Sequence, residues 1–448
     1  MISALRNHGK RAVTSRRRID AVVRRVFSPK VVDALEDRVE TPRRWQKTLR
    51  FLLPFGGASE GNRIAAFHDG PSAFRAKFAS IDGAQRRVWL EIYTLEPDAT
   101  GRLMLAKLTE AAKRGVHVTL LYDDIGSFNI SSADLQPLRD AGATVVTFNP
   151  IVQWSSWSRK WFRTHRKILL VDDHAYMGSM NIADSYAGAA AAEASALGFS
   201  EARRFRDTHM RVDGPAVKHL SEVFVNSLRE TDPALAATPE YLYTAPQPYP
   251  DGMFVQVMQS NTFRNIWHIP RAMRVALRGA RQRCYIATPY FLPPKGLRDA
   301  LIDAARRGVD VRVLTAGHTD VKSSQWASKH VYGQYLRAGV RIHELYGGMF
   351  LHAKTMTIDG IYTSVGSYNL DELSAKLNLE VTMSMLDVRL AKGFERRFLV
   401  DIEQAHEVTL RAWRARPIAQ KLLHAIYYYT SRVGLWSFSP PNNKHSMI

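Results

Sequence analysis

The chain is a repeat of itself, and this limits its fold more than any other feature. LAKLTEAAKRGVHVTLLYDD (105–124) is matched by LRDALIDAARRGVDVRVLTA (297–316). VWLEIYTLEPDATG (88–101) precedes the first block as CYIATPYFLPPKG (284–296) precedes the second, and LQPLRDAGATVVTF (135–148) follows as YGQYLRAGVRIHEL (332–345) follows. Each copy reads as an amphipathic helix ended by Gly115 or Gly308, then a strand of alternating Val and Leu. Strands alternating with helices predict α/β layers with largely parallel pairing, made twice.

Each copy then reaches the same short element. THRKILLVDD (164–173) carries His165, Lys167 and Asp172; LHAKTMTIDG (351–360) carries His352, Lys354 and Asp359, with the spacing H-x-K-x-x-x-x-D in both. Period-two alternation along a strand predicts that each imidazole shares a face with its ammonium. A Gly-Ser turn follows in each half, GSMN (178–181) and GSYN (366–369), adding Ser179, Asn181, Ser367 and Asn369 as donors. Two Lys, two Ser and two Asn around two His make a phosphate site. A neutral ring can attack phosphorus while a protonated one gives its proton to the leaving oxygen, and the lysines supply the positive charge without a metal or other cofactor. Each ring needs a partner on its other nitrogen; Asp207 in FRDTHMRVDG and Glu380 in LNLEVTMSML are placed to serve. Asp172 and Asp359 lie beyond the two-residue spacing and are expected to hold the turn.

The chain divides into a basic segment (1–60), a first half (61–232), a linker with five prolines (233–250), a second half (251–400) and an aromatic, amphipathic segment (401–448). An Ala-rich insertion, AGAAAAEASALGFSEA (187–202), interrupts only the first half, as a helix or surface loop. The formal charge is +20, with 62 Lys and Arg against 42 acids, which calls for a polyanionic partner: nucleic acid or an anionic membrane surface. The single cysteine, Cys284, excludes an intramolecular disulfide and a Cys-based zinc site, and reads as a small buried residue. No apolar run is long enough to span a bilayer. The first thirty residues hold one acid, Asp20, among many arginines: a mitochondrial transit pattern, or a basic amphipathic helix that touches anionic lipid.

HRKILLVD…GSMN and HAKTMTID…GSYN resemble the paired motifs of the phospholipase D superfamily, across roughly residues 61–400. AKRGVHVTLLYDDIGS, RDTHMRVDGPAV and VGSYNLDELSAKLNLE are similar to the bacterial-type cardiolipin synthases within it. The resemblance implies a duplicated α/β phospholipase D fold, two similar mixed-sheet halves sharing one active site. It implies that one phosphatidylglycerol donates its phosphatidyl group to histidine and a second accepts it, giving cardiolipin and glycerol. His165 and His352 are then the nucleophile and acid/base pair, with His165 the nucleophile by superfamily analogy. Lys167, Lys354, Asn181 and Asn369 bind phosphate with Ser179 and Ser367 close by, and Asp207 and Glu380 orient the rings. The chain departs from many bacterial members in lacking two membrane-spanning helices. A bacterial-type enzyme with a transit-like leader suggests the mitochondrial inner membrane, with the cytoplasmic side of a bacterial inner membrane as the alternative.

Three stretches suit a peripheral contact with lipid. NPIVQWSSWSRKWFRTHRK (149–167) sets Trp154, Trp157, Trp161 and Phe162 among cations; RARPIAQKLLHAIYYYTSRVGLWSFSPP (414–441) and WQKTLRFLLPF (45–55) repeat the theme. The same rings could pack in a core, or stack bases if the chain were a nucleic-acid phosphodiesterase, the rival of a different class. A lipid hydrolase, or transfer from phosphatidylethanolamine or CDP-diacylglycerol, also fits the motifs. An oligomer is compatible with all of these.

Overall fold

The computed structural model describes residues 41–150, 161–188, 204–261, 265–319 and 322–436. The transit-like leader, most of the Ala-rich insertion, Trp154, Trp157 and the last twelve residues lie outside these. The first half supplies β1 (Gly56–Phe67), β2 (Arg87–Ile92), β3 (His117–Asp123), β4 (Thr144–Phe148), β5 (Arg163–Thr164), β6 (Ile168–Val171), β7 (His174–Gly178), β8 (Arg204–Arg206) and β9 (His209–Asp213). The second supplies β10 (Met253–Ser260), β11 (Arg283–Ala287), β12 (Asp310–Ala316), β13 (Arg341–Leu345), β14 (Met349–Leu351), β15 (Thr355–Ile358), β16 (Tyr362–Gly366), β17 (Asn378–Leu386) and β18 (Ala405–Glu407).

One continuous sheet runs β18-β13-β12-β11-β15-β16-β17-β10-β1-β9-β7-β6-β2-β3-β4. Its two sides are copies: β4-β3-β2-β6-β7-β9-β1 on one, β13-β12-β11-β15-β16-β17-β10 on the other. β1 and β10 meet antiparallel at the centre, Ala58 opposite Gln256, so the duplication closes around a pseudo-twofold axis. The parallel pairs β2–β3–β4 and β11–β12–β13 are the βαβ units read from the repeat, crossed over by helices Ala99–Lys113 and Lys295–Arg306. Gly115 and Gly308, at φ 86° and 89°, end those helices in the left-handed conformation that glycine adopts without a Cβ penalty.

The outer face of each side is covered by its own helices. Phe74, Phe78, Met104 and Leu108 fill one layer, and Ile269, Leu277, Leu301 and Tyr335 the other. A third core is shared. Trp89, Leu170 and Val212 of the first half meet Val257, Val381 and Met383 of the second, with Val217, Leu220 and Phe224 of helix Ala216–Thr231. At about 25 cal/mol per Å² of apolar surface, a core that both halves must complete binds them into one unit.

The structure moves two sequence boundaries. β1 begins at Gly56 and pairs with both halves, so residues 56–60 belong to the sheet. The linker is not an extended tether: Leu235–Ala237 and Pro239–Tyr241 are 3-10 turns, and the Tyr241 hydroxyl hydrogen-bonds Thr119 at 2.8 Å. Helix Thr41–Leu52, read as a lipid contact, buries Trp45, Leu49 and Leu52 in the second half's core, with Trp45 stacked on Tyr362 at 5.3 Å. Cys284 is buried, and among the described residues no helix is long and apolar enough to cross a membrane.

Candidate active site

The sequence spacing predicts His165 and Lys167 within a strand. The structure places them in the connector between β5 and β6, and His352 and Lys354 in the one between β14 and β15. The reason is a change of partner. β5 pairs parallel with β17 of the other half, Thr164 opposite Leu379, and the His165 amide donates to Leu379 O at 2.9 Å. Three residues later the same chain has joined β2 of its own half. β14 does the same with β8, Leu351 opposite Arg206, and the His352 amide donates to Arg206 O at 2.9 Å. No strand can serve both ladders without a bend, and each histidine sits at that bend.

The crossed register decides which acid each ring meets. One step beyond Thr164 and Leu379 are His165 and Glu380; Nδ1 of His165 lies 3.1 Å from both carboxylate oxygens. One step beyond Leu351 and Arg206 are His352 and Asp207; Nδ1 of His352 lies 2.8 Å from Oδ2. Each ring is therefore held through Nδ1 by an acid of the opposite half. Burial pushes both carboxyls up, but the rings beside them and the serine hydroxyls bonded to them hold both below the usual range.

Lys167 and Lys354 repeat one geometry, each donating to the carbonyl of its own histidine at 2.7 Å. The Lys354 ammonium also lies 3.1 Å from His352 Nε2. The two motifs share one field. His165 is lowered to about 4, by burial first, with Glu380 pulling it up and the charges of Lys167 and Lys354 pushing it down. Burial lowers His352 too, as do Lys354 and Lys167. Lys167 is lowered to about 7, by burial first and then by Lys354. Lys167 and Lys354 act on each other and on buried Asp207, and a phosphodiester would bring further negative charge to both.

The serines correct the sequence expectation. Ser179 Oγ donates to Asp207, and Ser367 Oγ donates to Glu380. A hydroxyl has one proton, so these serines hold the acids and have none to offer a phosphate. The glycines before them allow the approach: a Cβ on Gly178 would lie 2.6 Å from Thr208 O, and one on Gly366 2.3 Å from Val381 O. Asn181 Nδ2 contacts the Tyr186 hydroxyl at 3.2 Å, while the buried Asn369 Oδ1 has no hydrogen-bond partner. Asp172 and Asp359 lie at the far ends of β6 and β15. Asp172 accepts from the amides of Gln85, Arg86 and Arg87, and Asp359 from those of Arg281, Gln282 and Arg283.

Several residues the motifs do not reveal complete the site. Buried Arg–Asp pairs brace the crossing segments: Arg163 with Asp123 at 2.9 Å and Arg206 with Asp401 at 2.7 Å. Tyr93 stands edge-on to His165 at 5.1 Å, and Tyr186 edge-on to His352 at 5.3 Å. Arg166, fully buried, donates to Glu380 O, Ser260 O and Ser227 Oγ, and Ser227 passes a hydrogen bond to buried Glu91 at 2.6 Å. The second half has Ala353 and Ala287 at the corresponding positions, so this ionic network exists on one side only. An unbroken Arg-Lys pair after His165 was the one sequence sign of it.

A family model described as "Cardiolipin synthase, PLD-like domain" matches residues 78–195 and 273–402, one segment in each half. A cardiolipin synthase of Geobacillus sp. (strain WCH70) is 32% identical over 360 residues, 80% of this chain and 70% of that protein. Cardiolipin synthase A of Pseudomonas fluorescens is 33% identical, covering 81% and 73%. Among solved structures, the phosphatidylserine synthase of Haemophilus influenzae superposes with a TM-score of 0.65 at 13% identity, over 87% of this chain and 98% of that one, a likeness of fold. The chain belongs to the cardiolipin synthase family built on paired phospholipase D-like domains.

Proposed function

We propose that the chain transfers a phosphatidyl group from one phosphatidylglycerol to the terminal hydroxyl of another, giving cardiolipin and glycerol. The observation that carries this reading is the crossed pair of His–carboxylate contacts, made through Nδ1 of each ring, with the charges of Lys167 and Lys354 both acting on both rings. His165, lowered to about 4, is neutral near pH 7 and attacks phosphorus through Nε2. The phosphodiester brings negative charge next to His352, which raises that ring toward its protonated form. His352 then gives its proton to the departing glycerol oxygen as the phosphorus–oxygen bond breaks. In the second step the acceptor hydroxyl loses its proton to His352 and attacks phosphorus, and the phosphorus–nitrogen bond breaks.

Lys167 and Lys354 neutralise the equatorial oxygens through both steps, and Asn181 and Asn369 add amide donors. Glu380 and Asp207 fix the rings and stabilise the imidazolium forms. The substrate is an anionic lipid and the chain works at a membrane surface. Bacterial relatives favour the inner membrane of a bacterium over a mitochondrion. The test is product analysis with purified protein on phosphatidylglycerol vesicles. Cardiolipin and glycerol in equal amounts support the reading. Phosphatidic acid would make water the acceptor, and no product would remove phosphatidylglycerol as donor.

A further inference from the structure

Several segments tied to the two motif histidines carry apolar side chains that the fold leaves in solvent. In the first half, the loop after β3 is tied to the site from below: Asp123 accepts from the amides of Ile125 and Gly126 at 3.0 Å, and Ser127 Oγ donates to Tyr93 O at 2.9 Å. Tyr93 in turn lies against His165. At the outer side of this braced loop Phe128 is 79% exposed and Ile125 45%. Trp161, 45% exposed, stands two residues before Arg163 on the way into β5.

The second half makes its own contribution from different elements. Met349, 40% exposed, opens β14, which leads to His352. Leu373, 50% exposed, is next to Ser374, whose hydroxyl donates to Glu380 at 2.7 Å. These residues are far apart in sequence, yet Trp161 and Met349 lie within four residues of a motif histidine, Leu373 adjoins Ser374 on Glu380, and the loop of Ile125 and Phe128 reaches His165 through Ser127 and Tyr93.

Further exposed apolar side chains lie on the last helix. Glu372, beside Leu373, lines one small cavity with Tyr428 and Ser431 of helix Ile418–Trp436. That helix exposes Leu422, Ile426 and Tyr429. Residues 408–436 contain Arg411, Arg414, Arg416, Lys421 and Arg432 and no Asp or Glu, so the charge this segment itself carries is positive.

We propose that this apolar surface, extended by helix Ile418–Trp436, is the docking surface for an anionic lipid bilayer, and that it seats the site mouth on the membrane. The proposal rests on the phosphatidyl-transfer reading for its substrate. A lipid with two acyl chains leaves the bilayer only by exposing every methylene to water, so the site must be brought to it. Exposed rings and aliphatic side chains enter the interface, and cations beside them meet the headgroup phosphates. Charge complementarity decides for an anionic lipid surface over a protein partner, because residues 408–436 carry five cations and no acid of their own and the chain's formal charge is +20.

The test is co-sedimentation of the full chain with phosphatidylglycerol vesicles, comparing wild type with F128S/L373S. Both side chains are exposed, and circular dichroism checks that the fold is kept. The double variant is expected to partition about tenfold more weakly, while its turnover of a short-chain, monomeric phosphatidylglycerol is unchanged. Equal partitioning of wild type and variant would overturn the proposal, as would loss of short-chain turnover in step with vesicle binding. If wild type binds vesicles, the variant does not, and neither makes cardiolipin, the docking surface stands and the phosphatidyl-transfer reading falls.

Discussion

His165 in the first half is held by Glu380 in the second, at 3.1 Å from Nδ1 to each carboxylate oxygen, and His352 is held by Asp207 in the reverse sense at 2.8 Å. Neither half supplies both a motif histidine and the acid that holds it. This gives the duplication a chemical reason to persist as one chain, since either half alone would present a ring in the wrong tautomer or free to rotate. E380Q is therefore expected to slow attack by His165, and D207N to slow proton transfer by His352. Each should lower kcat by about 100-fold or more. Rapid quench, which separates formation of the covalent intermediate from its breakdown, is the check. Equal slowing of only the His352-dependent step by both variants would contradict the crossing.

Arg166 is the one buried arginine that grips Glu380's backbone, at 3.2 Å, and it neutralises Glu91 through Ser227. R166M removes the largest opposite charge acting on buried Glu91, which keeps only its bonds from Ser227 and Thr164 and the weaker pull of Lys167, and should cost about 3–5 kcal/mol in urea unfolding. The double variant R166M/E91L should cost less than the two single changes together, by more than about 1 kcal/mol. Additive losses would mean that the two side chains do not act as a pair.

Asp172 and Asp359 have φ of 46° and 52°, a left-handed conformation that Asp and Asn both tolerate. Asp→Asn at either position therefore leaves the backbone preference intact and removes charge from a cup of three amides. A loss of about 1–3 kcal/mol in stability is expected, with turnover per folded molecule nearly unchanged. Lost chemistry in a fully stable D172N would place that carboxylate in the reaction.

Acid stability should carry the mark of His165. Its folded pKa, lowered to about 4 mainly by burial, lies below the ordinary value of 6.5. Between these values the unfolded chain binds a proton that the folded chain does not, so stability is full above pH 6.5 and falls as the pH drops toward 4. On the order of 1–2 kcal/mol should be lost between pH 7 and pH 5 through this group. Urea titrations at the two pH values, on wild type and H165Q, should show a smaller pH difference in the variant. An identical pH difference would mean that the ring has the same pKa in the folded and unfolded chain.

The duplicated layers and the His-x-Lys and Gly-Ser-x-Asn elements were legible because they depend on local spacing, which a sequence displays directly. The crossing was not, because it depends on which distant strand β5 and β14 choose. Nothing in Arg163–Thr164 or Met349–Leu351 names Asn378–Leu379 or Arg204–Arg206 as partner. Ser179 and Ser367 were read as phosphate donors for the same reason: their residue type was visible and their acceptors, Asp207 and Glu380, were not. Trp45 looked interfacial beside Arg43, Arg44 and Lys47, and only the packing on Tyr362 shows that it is core. The buried pairs Arg163–Asp123 and Arg206–Asp401 are long-range contacts between residues that look like ordinary surface charges in sequence.

The most direct measurement is to trap the covalent intermediate. Purified protein is mixed with phosphatidylglycerol vesicles labelled in the phosphate, quenched in alkali, which preserves phosphoramidates, and digested for mass analysis. The expected result is a phosphatidyl adduct on the peptide carrying His165, absent from H165A and formed far more slowly in E380Q. An adduct on His352 with His165 unlabelled would reverse the two roles. Product formation with no adduct on either ring would contradict the two-histidine mechanism.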